Sequence, residues 1–527
     1  MPNAPPSLPK SVHAGLLLAA GLWISLTFLA SNIELGHAIL PVLSVGAFVA
    51  AVALILYFVI ACYQKDANRR RLFAALAGAI VVFNIYGLVF RATIKVIGFD
   101  YYQAGQIALV VWFTIFLVIA ALLWSFISSR PRELAVCIGV SVLLVTALMQ
   151  TVVKTFPILG APTAQTTFTS DSLRVDAARP GSSSQLPDVY YFLFDAYARE
   201  DQLKRHAKIE ITNFLDQLRS MEFSVVRNAK ANYLTTNLSV GHTLLSDYFV
   251  VDVPTHKQFL NGIGLSSAAE EGWSPVIDQM VALGYRFVRT GGCTGREDRC
   301  LSPAKLVSTE VIEMLHNTPV TTILRYIWPS STKAWTEKAS IPETLAALAR
   351  IEDKPLFAFA HFLNPHDKSL NADCTIRKDA FEAQLAARSI QDRMLEDRIE
   401  YQDTIKCVNR QIISSLNILM ASSRPQLIVL TGDHGSSFSV PKDVEPNEWP
   451  IEALMERSAI FNAWHLPDHC QQYLYDEITP VNHFRLIFAC ITGNRPEFLP
   501  DRTYAIWYGG NSVTLIAPNA FDIESRK

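Results

Sequence analysis

The run Gly432-Asp433-His434-Gly435, directly after the apolar stretch LIVLT (427–431), sets two metal-competent side chains next to each other. Aspartate offers a hard anionic oxygen and histidine an imidazole nitrogen, a mixture that suits Zn²⁺ or Mn²⁺. The flanking glycines permit the tight backbone that turns both side chains toward one point. A turn with a structural histidine is the plainer reading of the same four residues. Asp195 closes a second apolar run, VYYFLF (189–194). A carboxylate there is poorly solvated unless a positive group faces it, although Asp is also a favoured helix N-cap. In NYLTTNLSVGHTLLSDYF (232–249), Leu238, Leu245 and Phe249 fit one helical face and place Thr235 or Thr236 at the helix start. Such a threonine commonly caps the helix. It is also where a hydroxyl is easiest to activate, because the helix N–H groups and dipole favour a developing anion. A further apolar run, PLFAFAHF (355–362), leads into NPHDKS, with His361 inside the run and His366 in the loop. His361 reads as a core histidine, whereas His366 is placed to hold a phosphate or protonate a leaving group. Each feature has a structural explanation alone; together they describe one metal-assisted site.

Positioning such a site requires regular elements. Short apolar runs predict buried strands at 189–194, 285–288, 355–362, 427–431, 458–464 and 504–508. Between them, helical spacing covers 208–221, 273–283, 308–327, 377–422 and 479–491. Alternating strand and helix predicts an α/β domain, a mostly parallel sheet with helices on both faces. Chemistry in such sheets collects at the carboxyl ends of the strands, where these candidates lie.

The first third of the chain is different. Five apolar stretches, about 13–33, 39–63, 72–90, 107–128 and 134–153, are each long enough to cross a bilayer. The first is too long, and too soon followed by the second, to be a cleaved signal peptide. Lys10, Lys65, Arg69, Arg70, Arg71, Arg130 and Arg132 flank one side, and only Arg91 and Lys95 the other. The excess of positive charge predicts an N-terminus inside, with everything after residue 153 outside. The expected domains are 1–153 (transmembrane), 154–187 (a Ser, Thr, Pro and Ala-rich linker) and 188–527 (exported). Six cysteines fall in the exported part, and an even number in an oxidising compartment predicts disulfides. Sequence proximity favours 293–300, then 374–407 and 470–490, while Cys62 and Cys137 read as inert membrane-helix residues. A net charge of −2 gives no basic surface for nucleic acid. The scarcity of charges inside the spans argues against a transport path. Arg91 and Lys95 read as interfacial snorkelling side chains, with lipid phosphates as the alternative partner.

The strand-end set resembles the alkaline phosphatase and sulfatase superfamily. It looks closest to the membrane-bound branch that includes lipoteichoic acid synthase and the lipid A phosphoethanolamine transferases. That resemblance covers nearly the whole chain. It implies a divalent metal, Zn²⁺ or Mn²⁺, held by Asp195, Asp433, His434 and a nucleophilic Thr236, with Thr235 as the fallback. It also implies His366 as the phosphate-contacting histidine, with His361 a second substrate-side candidate. Asp195 stands where the transferases typically have Glu, and His366 is followed by Asp367-Lys368 in place of a small residue and proline. The stretch SSFSVPKDVEPNEWP after the GDHG run lacks the histidine of the phosphoethanolamine transferases, and no Cys-x-Pro-x-Arg signature is present. TPVNHFRLIF (479–488) looks like a helix shared with sulfatase-like membrane proteins of unassigned activity.

The implied activity is transfer of a phospho-head group from a membrane phospholipid to an envelope lipid or glycan through a phospho-threonine. The expected location is the cytoplasmic (inner) membrane, with the C-terminal domain periplasmic or extracellular. Two alternatives stay open: a sulfatase-like hydrolase with the same site, and a catalytically silent envelope-binding protein.

Overall fold

The computed structural model describes residues 7–32, 39–97, 101–127, 129–159, 186–248, 266, 269–270, 272–291, 293–302, 309–327, 339–352, 355–377, 390–441, 444–506 and 513–516. Most of the expected linker, 160–185, lies outside the described residues. So do residues 378–389 of the predicted helix 377–422 and residues 507–508 of the predicted strand 504–508. The chain divides into two compact units. One comprises Met1–Ala161, Ala304–Glu337 and Phe381–Ile390, and the other Pro162–Pro303, Lys338–Ala380 and Gln391–Lys527.

The first unit is helical: α1 (Lys10–Asn32), α2 (Ile39–Ala61), α3 (Asp66–Asn84), α4 (Tyr86–Ile97), α5 (Tyr101–Phe126) and α6 (Arg130–Leu159). Five stretches are long and apolar enough to cross a membrane: Lys10–Ser31, Ile39–Ala61, Asn68–Thr93, Gly105–Phe126 and Arg130–Val153. The third is interrupted at Ile85, so α3 and α4 together make one span. Asn84 and Gly87, both poor helix formers, flank the break. Two further helices join this unit, α10 (Thr309–His316) and α11 (Pro319–Ile327). The sequence pattern reads them as one helix; Pro319 cannot continue α10 and instead opens α11. Met314 is buried in the apolar core with Leu17, Phe28, Val42 and Val45. Tyr86 donates its hydroxyl hydrogen to Thr322 Oγ1 (2.7 Å). Arg91 donates to Asn317 Oδ1 (3.0 Å) and is exposed.

Helix periodicity does not reveal the polar group inside this unit. His13 pairs with Tyr57 Oη (2.7 Å) and with Glu133 Oε1 (2.7 Å), and it stacks on Phe73 at 4.3 Å. Glu133 also accepts from the backbone N–H of Leu8 (3.1 Å) and lies 3.9 Å from Arg70 Nε. His13, Tyr57 and Glu133 are fully buried. A buried carboxylate holding this many partners ties the start of α1 to α2, α3 and α6.

The second unit is an α/β domain. Its strands are β1 (Asp188–Phe194), β2 (Ser224–Val225), β3 (Arg286–Thr290), β4 (Arg299–Cys300), β5 (Leu356–Phe362), β6 (Gln426–Gly432) and β7 (Asn462–His465). They form one sheet in the order β2-β7-β6-β1-β5-β3-β4. β6, β1, β5, β3 and β4 run parallel, while β7 is antiparallel to β6 and to β2. Two strands, β8 (Thr503–Ala505) and β9 (Thr514–Ile516), form a separate antiparallel pair. The sheet is therefore mixed at one edge, and of the apolar run 458–464 only the end from Asn462 is strand.

Strand alternation loads both faces. Tyr190, Phe192 and Phe194 pack with α7 (Thr212–Ser220), α12 (Ile341–Ala349) and α13 (Ile390–Leu419). Val189, Tyr191 and Leu193 pack on the other face with α8 (Thr236–Leu245), α9 (Pro275–Ala282) and α15 (Pro480–Thr492). Tyr191 stacks on Phe359 (5.4 Å) and Phe484 (5.1 Å), and its hydroxyl meets Nδ1 of buried His483 (2.9 Å). Two buried faces explain why these strands read as unbroken apolar runs. The disulfides are Cys293–Cys300, Cys374–Cys407 and Cys470–Cys490, and Cys62 and Cys137 are free.

Replacing Glu133 by Ala removes the acceptor that His13 Nε2 and the Leu8 N–H share. The expected cost is about 3 kcal/mol, read as a lowered unfolding midpoint of the detergent-solubilised chain. An unchanged midpoint would show that the group contributes nothing to the bundle.

Candidate metal centre

The alternation that sends Val189, Tyr191 and Leu193 to the second face carries that face on to Asp195, just beyond β1. On β5 it passes from Phe357 and Phe359 to His361. β6 leads likewise from Leu427 and Val429 to Asp433, and α8, which covers this face, begins at Thr236. The candidates therefore meet at the carboxyl end of the sheet, on one face, from four separated segments.

The strand ends are locked together by backbone. Asp195 N donates to Phe362 O (2.9 Å), and His366 N donates to Asp195 O (2.9 Å). Ala196 has φ 58°, a conformation costly for a residue with a Cβ. Asp433 Oδ1 accepts from its N–H (2.9 Å), and Tyr401 Oη donates to its carbonyl (2.7 Å). These bonds hold the turn that presents Asp195. Asp433 Oδ1 also accepts from His434 N (2.9 Å), and Ser239 of α8 donates to Asp433 O (2.6 Å). Gly435 is needed for close approach: a Cβ there would lie 2.0 Å from the carbonyl oxygen of Glu456. Glu456, at the end of α14 (Ile451–Ser458), is fully buried. It accepts from Ser436 Oγ (2.6 Å), Phe438 N (2.7 Å) and Ser439 N (2.7 Å), which fixes the loop behind the GDHG run.

His434 donates from Nδ1 to Gly435 O (3.0 Å), a carbonyl that can only accept, so its Nε2 carries a lone pair. Around Nε2 stand Thr236 Oγ1 (3.1 Å), Asp433 Oδ2 (3.4 Å), Asp195 Oδ1 (3.7 Å) and Arg457 Nη2 (3.0 Å). Burial, and then the Arg457 guanidinium, pushes His434 well below the usual histidine range, so the ring is a neutral donor. Asp195 Oδ1 and Asp433 Oδ2 are buried without a hydrogen-bond partner among the described residues. Two such oxygens beside a neutral nitrogen are costly unless a cation joins them. Ligand atoms of Asp195, Asp433 and His434 lie within 4.8 Å of one another. Donors about 2.1 Å from one tetrahedral ion stand roughly 3.4 Å apart, close to the spacings around Nε2. The residues present thus fit a divalent ion.

Of the two threonines, it is Thr236 that reaches His434. Thr235 is buried at the N-cap position, and its hydroxyl turns to Asn237 Oδ1 (3.1 Å). His361 points Nε2 at Asp195 Oδ2 (3.7 Å); this nitrogen has no hydrogen-bond partner among the described residues, so the ring is not the satisfied core histidine of the sequence reading. His366 is exposed, and its ring centroid lies 6.5 Å from that of His434. Arg457 and Glu456 escape sequence reasoning. They sit in LMER, just before the apolar run 458–464, and no local pattern marks which charge turns inward.

Residues 311–477 match the family model described as Sulfatase. No curated protein matches the chain in sequence. Among solved structures, the chain is similar to the C-terminal periplasmic domain of EcEptC from Escherichia coli in complex with Zn. Identity is 11%, over 64% of this chain and 94% of that one, with a TM-score of 0.42. It is similar over 93% of its length to the integral membrane lipooligosaccharide phosphoethanolamine transferase A from Neisseria meningitidis, 96% of which is covered. Identity there is 13% and the TM-score 0.39. A phosphonate monoester hydrolase of Agrobacterium radiobacter aligns at 12% identity over 60% of this chain and 79% of that one, with a TM-score of 0.36. Through residues 311–477 the chain carries a sulfatase-like enzyme domain.

Proposed function

We propose that the chain is a membrane-anchored, metal-dependent phosphotransferase that moves a phospho-head group from a membrane phospholipid to an envelope lipid or glycan. Thr236 is its nucleophile. The observation that carries this reading is Thr236 Oγ1 at 3.1 Å from His434 Nε2, beside the unpartnered oxygens of Asp195 and Asp433.

Asp195, Asp433, His434 and the Thr236 hydroxyl would hold a divalent ion, Zn²⁺ or Mn²⁺. When bound, it neutralises the carboxylates and lowers the pKa of the hydroxyl. Thr236 sits at the first turn of α8, where free N–H groups favour a developing alkoxide. Its oxygen attacks phosphorus, the bond to the diacylglycerol oxygen breaks, and a phospho-threonine remains. His366, exposed on the loop behind β5, is placed to give the departing oxygen its proton. His361, whose Nε2 faces Asp195 Oδ2 at 3.7 Å, is a second substrate-binding residue beside His366. An acceptor hydroxyl oxygen then attacks the same phosphorus, the bond to Thr236 Oγ1 breaks, and the acceptor's proton passes to Oγ1, which restores the threonine. Five helices long and apolar enough to span a bilayer support a lipid donor, with residues 1–153 as anchor and 188–527 as the exported catalytic domain in the cytoplasmic membrane. The Sulfatase match over 311–477 supports a second reading, in which water is the acceptor. Only the product separates the two.

After incubation with phospholipid, peptide mass spectrometry should find the adduct on Thr236. Thr236→Ala should lose the adduct and lower turnover about a thousandfold or more, while Thr235→Ala keeps both. An adduct that persists in Thr236→Ala removes this nucleophile. Asp433→Ala should purify without the bound divalent ion found in the parent by elemental analysis. Equal metal content in both proteins would sink the assignment of the ligands.

A further inference from the structure

Arg457 lies outside the donor set expected from sequence, yet it touches that set. Its Nε donates to Leu234 O (2.9 Å) and its Nη1 to Gly435 O (3.1 Å), the backbones of the two segments that carry Thr236 and His434. Nη2 lies 3.0 Å from His434 Nε2. A guanidinium has only donors, and this ring nitrogen has only its lone pair to offer, so Nη2 donates to it. The same lone pair is the one a divalent ion takes. Nη2 and the cation are therefore alternatives at Nε2.

We propose, resting on the metal-centre reading above, that Arg457 is the anion-binding residue of this site. Its Nη2 donates to a non-bridging oxygen of a phosphate or sulfate ester once Nε2 is occupied by the cation. Thr236 Oγ1 lies against the same nitrogen as Nη2. An ester centre within attack distance of Oγ1, about 3–3.5 Å, brings its own oxygens within reach of that edge of the guanidinium. With a divalent ion answering Asp195 and Asp433, the Arg457 guanidinium is a further positive group beside Thr236 and His434. Two backbone carbonyls hold Nε and Nη1, so the move of Nη2 from His434 Nε2 to the anion is a local one, in a buried setting where charge-assisted bonds are strong. Arg457 is only 6% exposed, so its charge is little screened by water. The stretch following the GDHG run contains no histidine, and α14 delivers this cation 23 residues beyond His434.

The test uses the zinc-loaded full-length chain in detergent, titrated calorimetrically with inorganic phosphate and, separately, with sulfate. The oxyanion held more tightly by the parent protein names the ester class, and its dependence on Arg457 is then read. Arg457→Gln should weaken that oxyanion about tenfold or more, with zinc affinity unchanged or tighter because the competitor for Nε2 is gone. Arg457→Lys keeps the charge but loses the fork. It should weaken the oxyanion about threefold, and it decides the matter if the Gln variant shows no cooperative melting. Oxyanion affinity within about twofold of the parent in the folded variants, with zinc bound, overturns the proposal. So does a loss of zinc affinity with oxyanion binding unchanged, since Arg457 would then act only on His434. A parent protein that takes up no zinc refutes the metal-centre reading and is distinct from either result.

Discussion

Two carboxylate oxygens, Asp195 Oδ1 and Asp433 Oδ2, are buried at the ends of neighbouring strands with no hydrogen-bond partner among the described residues. Buried anionic oxygens are among the least tolerated groups in a folded protein unless a cation answers them. Much of the second unit serves to hold them in place. Parallel pairing of β1 with β5 and β6 sets the two strand ends level. A left-handed alanine, restrained by Asp433 and Tyr401, turns the chain away so that Asp195 stays in the cleft. Glu456 and Arg457, adjacent on α14, secure the far side, one through the loop after the GDHG run and the other through the backbones of Leu234 and Gly435.

The site's polarity follows from tautomer and burial rather than from net charge. His434 is neutral because burial and a neighbouring guanidinium disfavour its protonation, and its proton is committed to a carbonyl. A lone pair therefore faces the carboxylates. The hydroxyl of Thr236 joins from a helix terminus, where the backbone dipole already favours an anion. The same principle appears in the helical unit with a different outcome. There Glu133 accepts at Oε1 from a backbone N–H, meets His13 through the same oxygen and sets Oε2 3.9 Å from Arg70 Nε, so its charge ties helices together.

The apolar runs at 189–194, 355–362 and 427–431 were legible as strands because both faces of a central parallel strand are buried, and each end agrees with β1, β5 and β6 to within a residue. β2 and β4, two residues each, were not legible, since their existence depends on a neighbour and not on any pattern of their own. The single helix expected at 308–327 proved to be two, packed with the apolar helices of the first unit, because Pro319 breaks it and Met314 finds its burial there. Of the disulfides, 293–300 follows from proximity in sequence, which at a separation of 7 is nearly proximity in space, whereas 374–407 and 470–490, at 33 and 20, do not.

What the sequence by itself determined is local: which stretches are apolar enough to span a bilayer or fill a sheet, and which donors sit at their ends. Asp195, Asp433, His434 and the Thr235-Thr236 pair could be named because an acid or hydroxyl at the end of an apolar run is conspicuous. Tertiary structure alone set Thr236 rather than Thr235 beside His434, turned His361 toward Asp195, and brought Arg457 onto His434. The physical reason is the same in each case. Side-chain direction at a strand or helix end is set by packing partners far away in the chain. No spacing rule encodes which of two neighbouring hydroxyls will meet a nitrogen some two hundred residues downstream.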